Sequence, residues 1–339
     1  MTIEGTDPAP ARLTGPPPPY DPELAPVVEV LASLRAPDAY RLDNIAEMRQ
    51  PVPGVEVPTD AMLSREGAYR LEERTVPGPL GAPDVSLLVC RPRQAAAPTA
   101  AIYHVHGGGM ILGDNRFGLA EMLALAEPLG MAVVSVEYRL APETPHPGPV
   151  EDCYAGLLWT TAHADELGID ADRVVVAGAS AGGGLAAALA LMARDRGGPP
   201  LLAQMLLSPM LDDRNDAPST QQMRGLGIWD SASNETGWTA LLGAGVRGGA
   251  DVSPYAAPAR ATDLAGLPPT FVDVGSAETF RDEDVTYASR IWQAGGRAEL
   301  HVWPGGFHGF DVVVPQAAIS QDAVAARAAW LRRQLTPAP

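Results

Sequence analysis

The chain has 339 residues, 46% of them hydrophobic, and a formal net charge of −17 at pH 7. The strong negative charge argues against nucleic acid or an anionic membrane surface as a partner. All 24 basic residues are arginines, which excludes Schiff-base chemistry, pyridoxal phosphate enzymes and Walker-type phosphate loops, because each of these requires a lysine.

Three further features of the sequence predict a cytoplasmic protein that does not insert into a membrane. The N-terminal segment lacks the basic and apolar regions of a secretory signal. No apolar run approaches the length needed to cross a bilayer. Cys90 and Cys153 have no paired spacing, so we expect both to be buried free thiols.

The first part of the chain precedes any predicted strand. Residues 1–19 are rich in proline and glycine, which predicts a flexible tail. Apolar residues at helical spacing predict a helix that begins near Asp21, and a second candidate helix covers residues 39–48. We assign residues 20–60, which include a connector at 51–58, to helices of a cap.

Strands and helices alternate over most of the remaining chain, with an interruption at residues 210–263. We predict an α/β core in two parts, residues 61–209 and 264–339, with the interruption as a partly inserted cap segment. The alternation predicts a mainly parallel sheet with helices on both faces and an antiparallel pair at its start. Predicted strands lie at 69–76, 85–90, 101–105, 132–137, 174–177, 204–208, 270–274 and 298–302, and predicted helices at 119–129, 149–166, 185–192, 282–294 and 319–335.

The sequence Gly178-Ala179-Ser180-Ala181-Gly182 lies between a predicted strand and a predicted helix. In that context a G-x-S-x-G pentapeptide forms a nucleophile elbow, which presents the serine hydroxyl beyond the carboxyl end of the strand. A chain with 35 glycines will sometimes contain this pattern by chance. The flanking strand and helix favour the functional interpretation, with Ser180 as the nucleophile.

A serine hydroxyl is a weak nucleophile and needs a base within hydrogen-bonding distance. His308 follows a late strand within a glycine-flanked loop, which predicts that it reaches the catalytic edge of the sheet. Two other histidines, His104 and His301, lie in predicted strands. His146 lies in a proline-rich turn, and His163 lies near a helix end. We therefore predict that His308 is the base.

The acid of a triad is expected just beyond the strand that precedes the strand of the histidine. Glu278 is the first carboxylate after the strand at 270–274. Asp282 fits the first turn of the next helix, where a negative charge is favoured, and it is the alternative acid.

His106-Gly107-Gly108-Gly109 follows a third predicted strand. Glycine allows the backbone to approach a substrate, and its amides can stabilise an oxyanion. We predict Gly108, Gly109 and the Ala181 amide as donors, with His106 and Gly107 supporting the loop. An ordinary glycine-rich turn would explain the glycines but not the histidine.

Together these stretches resemble the hormone-sensitive lipase family of α/β hydrolases, which includes bacterial esterases. The resemblance implies an eight-stranded core with a helical cap, the nucleophile at Ser180, the histidine at His308, and ester hydrolysis without a cofactor or metal. The family acid usually opens a D-P-L-R-D-E motif, where this chain has Glu278, so Asp282 stays an alternative. The matching stretches are HGGGMILGD (106–114), YRLAPE (138–143), GASAGGG (178–184), SAETFRDED (276–284) and GGFHGF (305–310).

The sequence thus predicts a serine carboxylesterase that acts on short- to medium-chain esters. The resemblance also implies a homodimer, since members of the family often dimerise. A second hypothesis is amide or carbamate hydrolysis, or another acyl transfer or elimination, by the same triad. A third is a ligand-binding receptor on the same fold, which the presence of both Ser180 and His308 disfavours. Candidates to line a substrate pocket in the cap, or simply to pack there, are Met210, Met223, Trp229 and Trp238.

Overall fold

Eight strands form one sheet in the residues that the computed structural model describes, which are 14–34, 40–50, 57–94 and 98–336. The strands are β1 (Tyr69–Val76), β2 (Val85–Pro92), β3 (Thr99–Val105), β4 (Ala132–Glu137), β5 (Ile169–Ala179), β6 (Ala203–Leu207), β7 (Thr270–Gly275) and β8 (Ala298–Trp303). Their order across the sheet is β1-β2-β4-β3-β5-β6-β7-β8. The pairs β1/β2 and β2/β4 are antiparallel and the others parallel, which confirms the predicted α/β-hydrolase architecture.

Helices connect the strands and cover both faces of the sheet. The described helices are α1 (Ala25–Leu34), α2 (Ile45–Met48), α3 (Asp60–Leu63), α4 (Leu119–Ala126), α5 (Gly148–Ala162), α6 (Ala164–Leu167), α7 (Ala181–Asp195), α8 (Pro218–Gln222), α9 (Ser231–Leu242), α10 (Arg281–Gln293), α11 (Phe310–Val313) and α12 (Ala318–Leu335). Short 3₁₀ turns cover Glu127–Leu129 and Pro258–Arg260.

Several predicted boundaries were wrong. The helix predicted over 185–192 begins four residues earlier, at Ala181, and ends at Asp195. The second helix begins only at Ile45, because residues 41–44 form a turn in which the Asn44 side chain accepts from the Arg41 amide. The helix predicted over 149–166 is interrupted at His163 and becomes α5 and α6. β5 begins five residues earlier than predicted and includes the polar stretch before Val174. Most of the predicted tail (1–13), the start of the second helix (Ala39) and residues 51–56 of the connector lie outside the described residues.

Successive side chains of β5 point to opposite faces of the sheet and enter two different apolar clusters. Val174 and Val176 belong to an apolar cluster on one face with α5 and α7, while Val175 and Ala177 belong to a cluster on the other face with α4 and Trp330 of α12. Because both faces are covered, the central strands β3, β4 and β6 are almost entirely buried and mostly apolar. The edge strands β1 and β8 carry polar residues that are partly or fully exposed. Cys90 and Cys153 are buried and free, as predicted.

Helix α1 covers the carboxyl edge of the sheet near β8. Leu24 and Val28 pack against Phe307 and Phe310, and the amide of Asp21 donates to the Gly305 carbonyl at 3.1 Å. Helices α8 and α9 lie in the segment predicted to be inserted, and its Trp229 and Trp238 join the main apolar cluster. The division of the chain into core and cap at these boundaries stays a prediction. None of the described helices is long and apolar enough to span a bilayer.

A buried ionic network ties α12 to the sheet and to α11. Arg327, only 7% exposed, pairs with Asp273 of β7 at 2.7 Å and with Asp311 of α11. Burial raises the pKa of the Asp273 carboxyl, and the charge of Arg327 opposes that rise. Since Asp311 follows His308 by three residues, this network holds the histidine loop against the sheet.

Replacing Arg327 is therefore expected to destabilise the fold. Arg327→Leu should lower the free energy of unfolding by about 3 kcal/mol, because it leaves a buried carboxylate without its counter-charge. Urea denaturation followed by circular dichroism measures the change. The exposed Arg332 on the same helix supplies the control, and Arg332→Leu should change stability by less than about 0.5 kcal/mol. Equal effects of the two substitutions would contradict the role of the network.

Candidate active site

Ser180 occupies a strained turn between β5 and α7. Its φ of 59° and ψ of −124° lie in a region that residues other than glycine rarely adopt. Its amide donates to the Leu207 carbonyl at 2.8 Å and its carbonyl accepts from the Met210 amide at 2.9 Å. The end of β6 and the segment just after it thereby hold the serine backbone in place.

Two glycines flank this serine because the neighbouring backbone leaves no room for a side chain. A Cβ at Gly178 would lie 2.3 Å from the Gly182 carbonyl oxygen, and a Cβ at Gly182 would lie 2.1 Å from the Val105 carbonyl oxygen. Any side chain at either position would force β5, α7 and β3 apart. The sequence pattern therefore reflects close packing at the turn, as expected for an elbow.

The loop after β8 brings His308 to this serine. The distance between His308 Nε2 and Ser180 Oγ is 3.0 Å, within hydrogen-bonding range. The loop is fixed to the end of β7, because Gly306 accepts from the Ala277 amide at 3.0 Å and the Gly305 amide donates to Ser276 Oγ at 2.8 Å. The predicted pair of serine and histidine is thus adjacent in space although 128 residues apart in the chain.

Glu278, rather than Asp282, faces the other side of the imidazole. Glu278 Oε2 lies 3.4 Å from His308 Nδ1, and the glutamate is buried. This distance is longer than that of a well-aligned hydrogen bond, and neither atom has a hydrogen-bond partner within the described residues. Catalytic contacts are often long in the free enzyme and shorten when substrate binds.

Asp282 is held elsewhere. Its carboxylate accepts from the Ser219 amide at 2.7 Å and from Arg281 Nε at 2.8 Å. Burial opposes ionisation of Asp282, but these hydrogen bonds outweigh it and lower the pKa of the carboxyl. Asp282 therefore joins the start of α10 to α8 instead of contacting the histidine.

The glycine loop after β3 lies beside Ser180. Gly108 and Gly109 both have positive φ, at 107° and 62°, and a Cβ at Gly107 would lie 3.6 Å from the Ser180 Cβ. Ala181 is the first residue of α7. Among the residues that the structure describes, no protein acceptor receives a hydrogen bond from the amides of Gly108, Gly109 or Ala181. These three N–H groups are available to an anionic oxygen.

His106 stabilises the glycine loop through contacts of its side chain and backbone. Burial lowers the pKa of its imidazole to about 4, so the ring is neutral at pH 7. Its Nδ1 lies 2.8 Å from the Gly107 carbonyl oxygen, a geometry that assigns the proton to Nδ1. The ring stacks on Tyr138 with centroids 4.1 Å apart, and the Tyr138 hydroxyl donates to the His106 carbonyl at 2.9 Å.

Several contacts of the site were not identified from the sequence. The ring of Phe280 meets His308 edge-on at 5.2 Å. A Cβ at Gly109 would lie 2.2 Å from Trp229 Cη2, so the indole of Trp229 packs directly on the glycine loop. Tyr138 belongs to the YRLAPE motif at 138–143, but nothing in the sequence near it predicts that its ring stacks on His106. Within the described residues, no group of three or more His, Cys, Asp or Glu side chains is arranged to hold a metal ion.

Comparison with known proteins identifies the family of the chain. The family described as alpha/beta hydrolase fold matches residues 102–312. Carboxylesterase NlhH of Mycobacterium tuberculosis is 34% identical over 308 residues, which cover 88% of this chain and 92% of the relative. Esterase LipI of the same species is 36% identical over 232 residues, covering 67% and 70%.

Solved structures of esterases have the same fold over nearly the whole chain. A bacterial heroin esterase superimposes with a TM-score of 0.83 at 39% sequence identity, covering 94% of this chain and 98% of that one. The fold, the order of the motifs and these relatives agree. The chain therefore belongs to the α/β hydrolases, in the hormone-sensitive lipase family that its motifs resemble.

Proposed function

We propose that this protein is a serine carboxylesterase that hydrolyses small-molecule esters through an acyl-enzyme. The observation that carries the proposal is the 3.0 Å approach of His308 Nε2 to the hydroxyl of Ser180 at the strained elbow. Relatives covering most of the chain are named carboxylesterase and esterase, which supports the same reaction.

In the acylation half-reaction, Ser180 Oγ attacks the ester carbonyl carbon while His308 Nε2 takes its proton. The negative charge that develops on the carbonyl oxygen is stabilised by the amides of Gly108, Gly109 and Ala181. Loss of one such donor typically costs about 10²–10³-fold in rate. Collapse of the tetrahedral intermediate breaks the C–O bond, and His308 returns the proton to the leaving alcohol.

In the deacylation half-reaction, water replaces the alcohol. His308 removes a proton from water as it attacks the acyl carbon, and the same three amides stabilise the second oxyanion. The ester bond to Ser180 breaks, the carboxylic acid leaves, and Ser180 recovers its proton. Throughout, Glu278 orients the imidazole and stabilises the imidazolium, which suits a buried carboxylate 3.4 Å from Nδ1.

The cap bounds the space available to the substrate. Trp229 is buried, packs on Gly109 beside the oxyanion position, and is held by a hydrogen bond from Thr279 Oγ1 to its carbonyl at 2.7 Å. A rigid indole at this point restricts the length of group that fits there. This supports short- to medium-chain esters as the substrate class.

Removal of the nucleophile gives the first test. Ser180→Ala should lower kcat for p-nitrophenyl butyrate by about 10⁴-fold or more, because no acyl-enzyme can form. Ser33→Ala, which removes an exposed hydroxyl on α1, is the control and should retain the wild-type rate. Comparable turnover by wild type and Ser180→Ala would rule out the proposed mechanism.

The identity of the acid gives the second test. Glu278→Gln should reduce kcat on the order of 10³-fold, since an amide cannot stabilise the imidazolium. Asp282→Asn should leave kcat within about fivefold, because Asp282 contacts α8 and Arg281 instead of the histidine. Melting temperatures of both variants separate loss of chemistry from loss of fold. The reverse ranking of the two kcat values would reassign the acid.

A further inference from the structure

An open cleft of about 350 Å³ lies at the edge of the sheet opposite the active site. It is formed where β1 begins and β2 ends, with the start of β3 and the end of α6 as its other walls. Strand β5 runs from Ile169, beside the cleft, to Ala179, next to the catalytic serine. At about 3.3 Å per residue, roughly 30 Å separates the two places. The lining includes Arg70, Arg91, Arg93, Thr99, Leu167 and Gly168.

Three arginines converge on this cleft because of the strand register. Arg70 of β1 and Arg91 of β2 are directly opposite partners in the antiparallel pair, so their side chains lie on the same face of the sheet. Arg93 follows two residues later, and its amide donates to the Ala68 carbonyl at 2.8 Å, which continues the same ladder. Like charges directly opposite each other destabilise an antiparallel pair.

Protein carboxylates compensate this charge only in part. Arg91 pairs with Glu72 at 3.0 Å, but Glu72 is shared with Arg74 at 2.7 Å. The guanidiniums of Arg70 and Arg93 are exposed and make no ion pair or hydrogen bond with the rest of the described chain. Among the described residues that line the cleft, every charged one is an arginine, in a protein whose net charge is −17.

We propose that this cleft binds a small multivalent oxyanion of the pyrophosphate type, separately from ester hydrolysis. Each guanidinium presents N–H donors in a planar fork that matches the oxygens of a phosphoryl group. An anion between Arg70, Arg91 and Arg93 would cancel the repulsion between the facing strands. The nearby Gly168 carbonyl accepts from the Thr99 amide at 2.9 Å, which partly offsets the negative partial charge of its oxygen.

The test measures binding of inorganic pyrophosphate to the full-length protein by isothermal titration calorimetry at constant ionic strength. Wild type should bind it, and the double variant Arg70→Ala/Arg93→Ala should bind about tenfold more weakly or worse, because it loses charge-assisted hydrogen bonds. Arg224→Ala/Arg332→Ala is the matched control. It removes the same charge at two other exposed arginines and should bind like wild type.

Three outcomes would overturn the proposal. Absence of pyrophosphate binding by wild type removes the site, and equal weakening in both double variants indicates a general effect of net charge. Sedimentation with phosphatidic acid vesicles without binding of soluble pyrophosphate would point to a lipid headgroup as the ligand and reject a small soluble anion. Turnover of p-nitrophenyl butyrate should be unchanged in both variants, so that this test is independent of the esterase proposal.

Discussion

The rest of the site depends on the strained backbone at Ser180. A residue with this φ and ψ costs about 1–3 kcal/mol, and it persists only where its surroundings fix it. Here hydrogen bonds to the end of β6 and to Met210 just beyond it fix the serine backbone, while Gly178 and Gly182 allow β3, β5 and α7 to meet around it. The apolar clusters on the two faces of the sheet supply the stability that maintains this turn.

The parallel sheet explains why residues far apart in the chain meet. β3, β5, β7 and β8 all end at one edge, so the glycine loop, the serine turn, Glu278 and His308 are delivered to the same place. Contacts between loops then set the distances: Gly306 joins the histidine loop to the end of β7, and Arg327 holds α11 behind it. The sheet thus brings the catalytic residues to one edge, and polar contacts between the loops then fix the distances between them.

Much of this arrangement was predictable from the sequence, because glycines and strand ends mark the places where backbone geometry is constrained. The neighbours of Ser180 and the loop of His308 carried such local signals, and the structure brings both residues together. Other features were not predictable, because they depend on tertiary contacts. No periodic signal in the sequence marks the stacking of Tyr138 on His106 or the packing of Trp229 on Gly109. The same holds for the hydrogen bond from the Arg41 amide to Asn44 Oδ1 in the turn before α2.

The central claim is that the hydroxyl at the elbow is reactive because the imidazole activates it. The most direct measurement is labelling with a fluorophosphonate, followed by peptide mapping with mass spectrometry. The account predicts one adduct per chain, on Ser180, in the wild type, with labelling slowed by orders of magnitude in His308→Gln. An adduct on another residue, or labelling of Ser180 at the same rate without the imidazole, would contradict it.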